Sequence, residues 1–118
     1  MSIDSDIYDI LGNVSNRVFP VILPIETILP ALTYQRVSTL RYRAHEGDAL
    51  LGPLYQVTCW DANPKGARAL ARSVVEEFAP MLGYAQVENQ LESYDPGAKL
   101  YTVFVDVRVF AAEEEAVS

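Results

Sequence analysis

Apolar residues recur at helical spacing twice in this chain. Ile3, Ile7, Ile10, Leu11 and Val14 form one stripe and predict a short helix near residues 3–12. Ser2 is placed to cap it, Asp4 and Asp6 suit its first turn, and Gly12 and Asn13 end it. The second stripe, Ala67, Leu70, Ala71, Val74 and Phe78, predicts a helix over 64–79. Asp61 or Asn63 can cap that helix, Pro64 fits its first turn, and Pro80 stops it. Lys65, Arg68, Arg72, Glu76 and Glu77 fall largely off the stripe, on a solvated face.

Elsewhere the apolar period is two. Ala31 to Val37 reads as a strand after a brief one at Val18 and Phe19. Leu40, Tyr42 and Ala44 then alternate with Arg41, Arg43 and His45, giving one apolar and one basic face. Glu46 to Pro53 reads as a connection, from its Gly47, Asp48, Gly52 and Pro53. From Leu54 to Trp60, Tyr55, Val57 and Cys59 share one face, and Gln56, Thr58 and Trp60 the other. Tyr84 to Tyr94 is a more polar strand that belongs near an edge, and Asp95, Pro96 and Gly97 form a turn. Leu100 to Phe110 is expected to be the longest strand, with Tyr101, Val103, Val105, Val107 and Val109 on one face. Pro20, Pro24 and Pro30 keep the stretch from Arg17 to Pro30 out of helix. Its aliphatics, Val21, Ile22, Leu23, Ile25, Ile28 and Leu29, are many for a solvated loop, so they pack under the domain or a partner covers them.

The order is helix, strands, helix, strands, without a dozen-residue crossover between each pair of strands. That predicts an α+β fold: a mostly antiparallel sheet with two helices packed on one face. One domain is expected over 1–111, with 112–118 a flexible acidic C-terminal tail.

With 50% hydrophobic and 21% charged residues, the composition is that of a folded domain, not a disordered chain. A single cysteine, Cys59, excludes an internal disulfide. No apolar run approaches the roughly 20 residues of a membrane helix, and the first residues are acidic, so neither a membrane anchor nor a signal peptide is expected. The net charge of −7 opposes a grip on phosphates. Charge is also uneven: Arg36, Arg41 and Arg43 lie close together, whereas Glu113, Glu114 and Glu115 form a terminal block. Such asymmetry lets identical subunits attract one another.

The residues do not assemble a catalytic motif. There is no glycine-rich phosphate loop or dinucleotide fingerprint, and one histidine with one cysteine cannot build a His- or Cys-rich zinc site. Cys59 falls on an apolar face and reads as a core thiol, not a nucleophile served by His45. Asp4, Asp6 and Asp9 are explained by the helix dipole, and Glu88 with Glu92 by a solvated strand edge. The expectation is therefore no enzyme, no metal and no cofactor. Trp60, Phe104 and Phe110 fall off the helix-facing side of the sheet. With Arg41, Arg43 and His45 they are the candidate subunit-interface residues, since tryptophan and arginine are enriched at binding hot spots.

Several stretches, taken in order, resemble the tail-completion (tail-terminator, head–tail joining) proteins of long-tailed bacteriophages. They are the first helix with Asn16-Arg17-Val18-Phe19-Pro20, then Pro30-Ala31-Leu32-Thr33-Tyr34-Gln35-Arg36-Val37. Tyr55-Gln56-Val57-Thr58-Cys59-Trp60-Asp61 follows, running into the alanine-rich helix, and then Tyr94-Asp95-Pro96 leading into Leu100 to Val109. The likeness spans about residues 6 to 111; the aliphatic richness of Val21 to Leu29 and the Ser38-Thr39 pair depart from the pattern. The resemblance implies a virion protein of the head–tail joint, assembled in the host cytoplasm. It implies a ring, usually six-fold, that caps the tail tube protein and offers a surface to the head connector (stopper). DNA would cross its lumen without specific binding. The rival expectation is a small host-cell α/β module that binds a ligand or peptide, dimeric in one form; a cofactor-free enzyme is a third.

Overall fold

The computed structural model describes residues 3–43, 49–81 and 84–112. Helix α1 (Ile3–Gly12) leads into a short strand β1 (Val18–Pro20), and two long strands follow, β2 (Ala31–Arg43) and β3 (Ala49–Asp61). Helix α2 (Pro64–Phe78) precedes β4 (Ala85–Asp95), β5 (Leu100–Val109) and the two-residue β6 (Ala111–Ala112). The sheet order is β1-β2-β3-β5-β4, and β6 pairs with β3. Every pairing is antiparallel except β1 with β2. This is the α+β architecture expected.

The core follows from the two periodicities. Ile3, Ile7 and Leu11 of α1 join Ala67, Leu70, Ala71, Val74 and Phe78 of α2 in one buried cluster. Tyr55, Val57 and Cys59 of β3 and Val103, Val105, Val107 and Val109 of β5 complete it. Those strand residues alternate and so share one face of the sheet, and the buried stripes of both helices join them in the cluster. Asn63 caps α2, its Oδ1 accepting from the Gly66 amide at 3.1 Å. The Asp61 carboxylate occupies the place that a Cβ on residue 66 would take, so a side chain there would displace it.

The structure corrects the strand boundaries. β2 runs unbroken through Ser38 and Thr39, and β3 starts at Ala49, so Leu50 to Pro53 belong to a strand, not a loop. At thirteen residues each, β2 and β3 exceed the ten of β5, which is not the longest strand. Their far halves form an arm beyond the end of β5, which last pairs with β3 at Leu54↔Arg108. Of the residues expected on the apolar face here, Leu40 is 47% exposed on this arm. β6 takes Ala112 into the sheet, one residue past the expected domain limit; residues 113–118, Ser2 and His45 lie outside the described residues.

β2 and β4 each have a bulge, at Val37 between Arg36 and Ser38, and at Glu88 between Val87 and Asn89. Both sit at the same level of the sheet, since Arg36 pairs with Tyr55, and Tyr55 and Val87 both pair with Val107. A bulge bends its strand and re-aims a side chain. The extra residue of β4, Glu88, reaches Arg108 in this way, with both carboxylate oxygens 3.2 Å from guanidinium nitrogens.

Candidate functional site

The six candidate interface residues do not form one constellation. Trp60 and Phe104 are brought together on the sheet face away from the helices. The register pairs Trp60 with Thr102 and Thr58 with Phe104, so the two aromatics are diagonal neighbours. Both are half-buried, and Trp60 Nε1 donates to Thr33 Oγ1 at 2.9 Å. They shield Thr33, Thr58 and Thr102, which are buried on this face. Phe110 lies apart, in the break between β5 and β6, where its amide donates to the Tyr84 carbonyl at 2.8 Å. Arg41 and Arg43 sit on the arm. The Val37 bulge puts Arg41, paired with Leu51, on the same side of the sheet as Arg36, paired with Tyr55, and opposite to Trp60. Arg41 is exposed there.

Next to Trp60 stands a loop that turns several large aliphatics toward solvent. The loop from Val21 to Pro30 leaves β1 and returns as β2, and its ends are tied down. The Val21 amide donates to the Tyr34 carbonyl at 2.9 Å, and Arg17 Nε to the Pro30 carbonyl at 3.0 Å. Between these ties Val21 is 60% exposed, Ile22 73%, Ile25 94% and Ile28 72%. Leu23 and Leu29 are partly buried, whereas these four do not pack under the domain. Val21 and Glu26 each have φ of 63°. For a β-branched valine this left-handed backbone is an outlier costing on the order of 1–3 kcal/mol, a strain that clusters at working surfaces. The loop, Trp60 and the β4–β5 turn enclose a cavity of about 550 Å3.

A second groove, of about 350 Å3, lies between the start of α2 and the β4–β5 edge. Tyr94 and Tyr101 pack edge to face at 5.0 Å along it, and Arg68 forms an ion pair with Glu92. The Arg68 hydrogen bond holds the Glu92 carboxyl below its ordinary value. Reading the helix period assigned Arg68 to a solvated face. Its meeting with Glu92 depends on how α2 lies across β4, and the sequence carries no signal for that.

The acids of α1 act as fasteners. Asp4 accepts from the buried Tyr55 hydroxyl and pairs with Arg36 at 3.2 Å, and Arg36 Nη2 also donates to the Tyr55 hydroxyl at 2.9 Å. Asp6 Oδ2 accepts from the Tyr84 hydroxyl at 3.3 Å. Among the described residues no cluster of three or more His, Cys, Asp or Glu is placed to hold a metal ion. Among those residues, too, no helix is long and apolar enough to cross a membrane.

Cys59 is fully buried, and burial pushes its thiol from 9.0 up to about 12. Burial, followed by the hydrogen bond to Asp4, likewise raises the Tyr55 phenol. The folded chain thus holds both protons more tightly than an unfolded chain does. The matching stability is complete below the ordinary thiol value and is lost as pH rises from about 9 through about 12. Urea midpoints should fall over that range, and Cys59→Ala should flatten part of the slope. Iodoacetamide should label Cys59 only as fast as the chain unfolds; rapid labelling of the native protein would refute a core thiol.

Compared with models of known protein families, the chain matches none, and no characterised protein matches its sequence.

Proposed function

We propose that this chain is an assembly subunit, a tail-completion protein whose ring closes the end of a phage tail tube and presents a different surface to the head connector. The observation that carries the assembly part of this reading is the loop from Val21 to Leu29, with four large aliphatics facing solvent on a backbone tied at both ends, a feature in which the chain departs from the tail-completion pattern. Apolar surface held out this way needs a protein partner. The ordered likeness of the chain to tail-completion proteins points to a partner within that assembly, a neighbouring subunit or the tube. A growing tube end is a repeating adhesive interface, and its cap must complement it on one side only. The net charge of −7 suits a lumen that DNA crosses without being gripped.

The direct test is electron microscopy of the protein mixed with assembled tails lacking their terminator. A ring at the tube end is expected, and bare tube ends at saturating protein would reject the reading. A charge test accompanies it. Arg41→Glu with Arg43→Glu should impair joining of heads to tails in complementation of a terminator-defective phage, while circular dichroism stays unchanged. Full infectivity would make the basic face merely solvated. Without a tail the free protein should be monomeric or weakly associating, because subunits of like net charge repel. A stable closed ring in light scattering at low micromolar concentration would reject templated assembly.

One observation favours the rival, a ligand-binding module: the groove between α2 and β4, with its two tyrosines and the Arg68–Glu92 pair. A thermal shift with a metabolite that Tyr94→Ala abolishes would support that reading over the terminator.

A further inference from the structure

The loop surface and the arm stand at opposite ends of one strand. β2 begins at the loop, is thirteen residues long, and ends about 40 Å away at the rise of an extended chain. The molecule is correspondingly elongated, 50 × 24 × 22 Å. One chain cannot bring these two ends together, but two copies can.

Their chemistry matches. The loop cavity has an apolar floor, including Trp60 and Leu100, and carries two carboxylates, Glu26 and Asp95. Among the described residues no basic side chain lines it; Lys99 falls between lining residues in sequence but is not one of them. Along β2 the arm has the opposite character. Over Val37 to Arg43 its outer strand contains two arginines and no acid, and Val37 and Leu40 are large exposed aliphatics. β1 pairs with β2 only through Tyr34, and among the described residues no other strand covers that outer edge. An open strand edge with Leu40 on one face and Arg41 on the other is suited to enter a groove edge-on. Its apolar side would meet the loop and its basic side the carboxylates.

We propose that the loop cavity of one subunit receives the β2 edge of the arm, around Leu40 and Arg41, from a second copy of this chain. This inference rests on the ring-forming reading and specifies the contact that would build the ring. The contact is heterologous, joining different patches on the two copies, so it propagates and closes into a ring when the rotation permits. Face-to-face pairing of two loops is disfavoured, because it gathers two copies of Glu26 and Asp95 without a cation.

Paired cysteines test the geometry. Ile25→Cys and Leu40→Cys are made singly and together in the full chain; the native Cys59 is buried and stays reduced. Oxidation is carried out at high protein concentration and read on non-reducing gels. A mixture of the two single variants should give a disulfide dimer that neither variant gives alone. The double variant should give a ladder. Arg41→Glu should lower the yield several-fold, and Glu26→Arg in the same chain should restore it. Self-linking of the Ile25→Cys variant as strong as the mixed link would overturn the proposal, as would no mixed link in either variant set. Ile25→Cys linking to tube protein and not to Leu40→Cys would also overturn it, placing the tube in the cavity. Microscopy of the wild type on tails separates the two levels. Rings on tails without a 25–40 link reject this contact alone. A 25–40 link without binding to tails supports the contact and rejects the terminator reading.

Discussion

Replacing Phe78 by alanine should destabilise the protein by about 3–5 kcal/mol, the largest single effect expected here. Phe78 is the last residue of α2 and is fully buried in the core that both helices share with the sheet. The side chain cannot be replaced by local collapse, because the backbone around it is fixed. The Ala79 amide donates to the Val75 carbonyl at 2.9 Å, and the Met81 amide to the Phe78 carbonyl at 3.0 Å. A cavity therefore adds its cost to the lost transfer of the ring. Domains of this size have only about 5–15 kcal/mol to lose, so the variant should melt far earlier or fail to fold at growth temperature. Urea unfolding checks this, with a lowered midpoint and an unchanged slope. A loss below about 1 kcal/mol would mean that the end of α2 does not dock as described.

Phe78 also illustrates what the sequence made legible. It closes the stripe Ala67, Leu70, Ala71, Val74 and Phe78, which falls on one helix face and is bounded by Asn63-Pro64 and by Pro80. Local rules of this kind need no knowledge of the rest of the chain. The alternation in β3 and β5 is equally local, and it placed Tyr55, Val57, Cys59 and the four valines correctly. Errors gathered where a residue's environment is set by a neighbouring strand. Gly52 and Pro53 look like a turn, yet they fall where β5 has ended and β6 has not begun, so one side of β3 makes no ladder there. The Val37 bulge is a two-against-one pairing that exists only relative to β3, and it sets which face Arg41 occupies. The candidate site was legible as an anomaly, an excess of aliphatics between Val21 and Leu29. Whether those side chains faced in or out depended on ties to Tyr34 and Arg17 that composition does not carry.

Arg108 gives the second large effect. Alternation placed it on the polar face of its strand, where a charged side chain would ordinarily be solvated. Instead it is only 8% exposed. Its Nη1 donates to the Gly52 carbonyl at 2.8 Å, at the point where β3 loses β5 as a neighbour, so the guanidinium replaces a missing ladder donor. The other side of the guanidinium is held by Glu88, which the β4 bulge turns toward it. Arg108→Leu removes both interactions and leaves a buried carbonyl without a donor, at a cost of about 1–3 kcal/mol. Losing the Glu88 pair adds less than a fully buried pair would, because the Glu88 side chain is 32% exposed and water can reach it. The total should be about 2–3 kcal/mol. Glu88→Gln keeps a hydrogen-bonding partner and should cost less, and a double-mutant cycle isolates the pair. The arm supplies a second readout, since Arg108 fastens β3 at its base. In Arg108→Leu the amides of Thr39 and Leu40 should exchange faster relative to those of Val57 and Val105, which rest in the shared core. Equal acceleration everywhere would show that the loss is global and that the arm does not depend on this cation. A neutral or stabilising Arg108→Leu would show that apolar packing at this position outweighs the hydrogen bonds to Gly52 and Glu88.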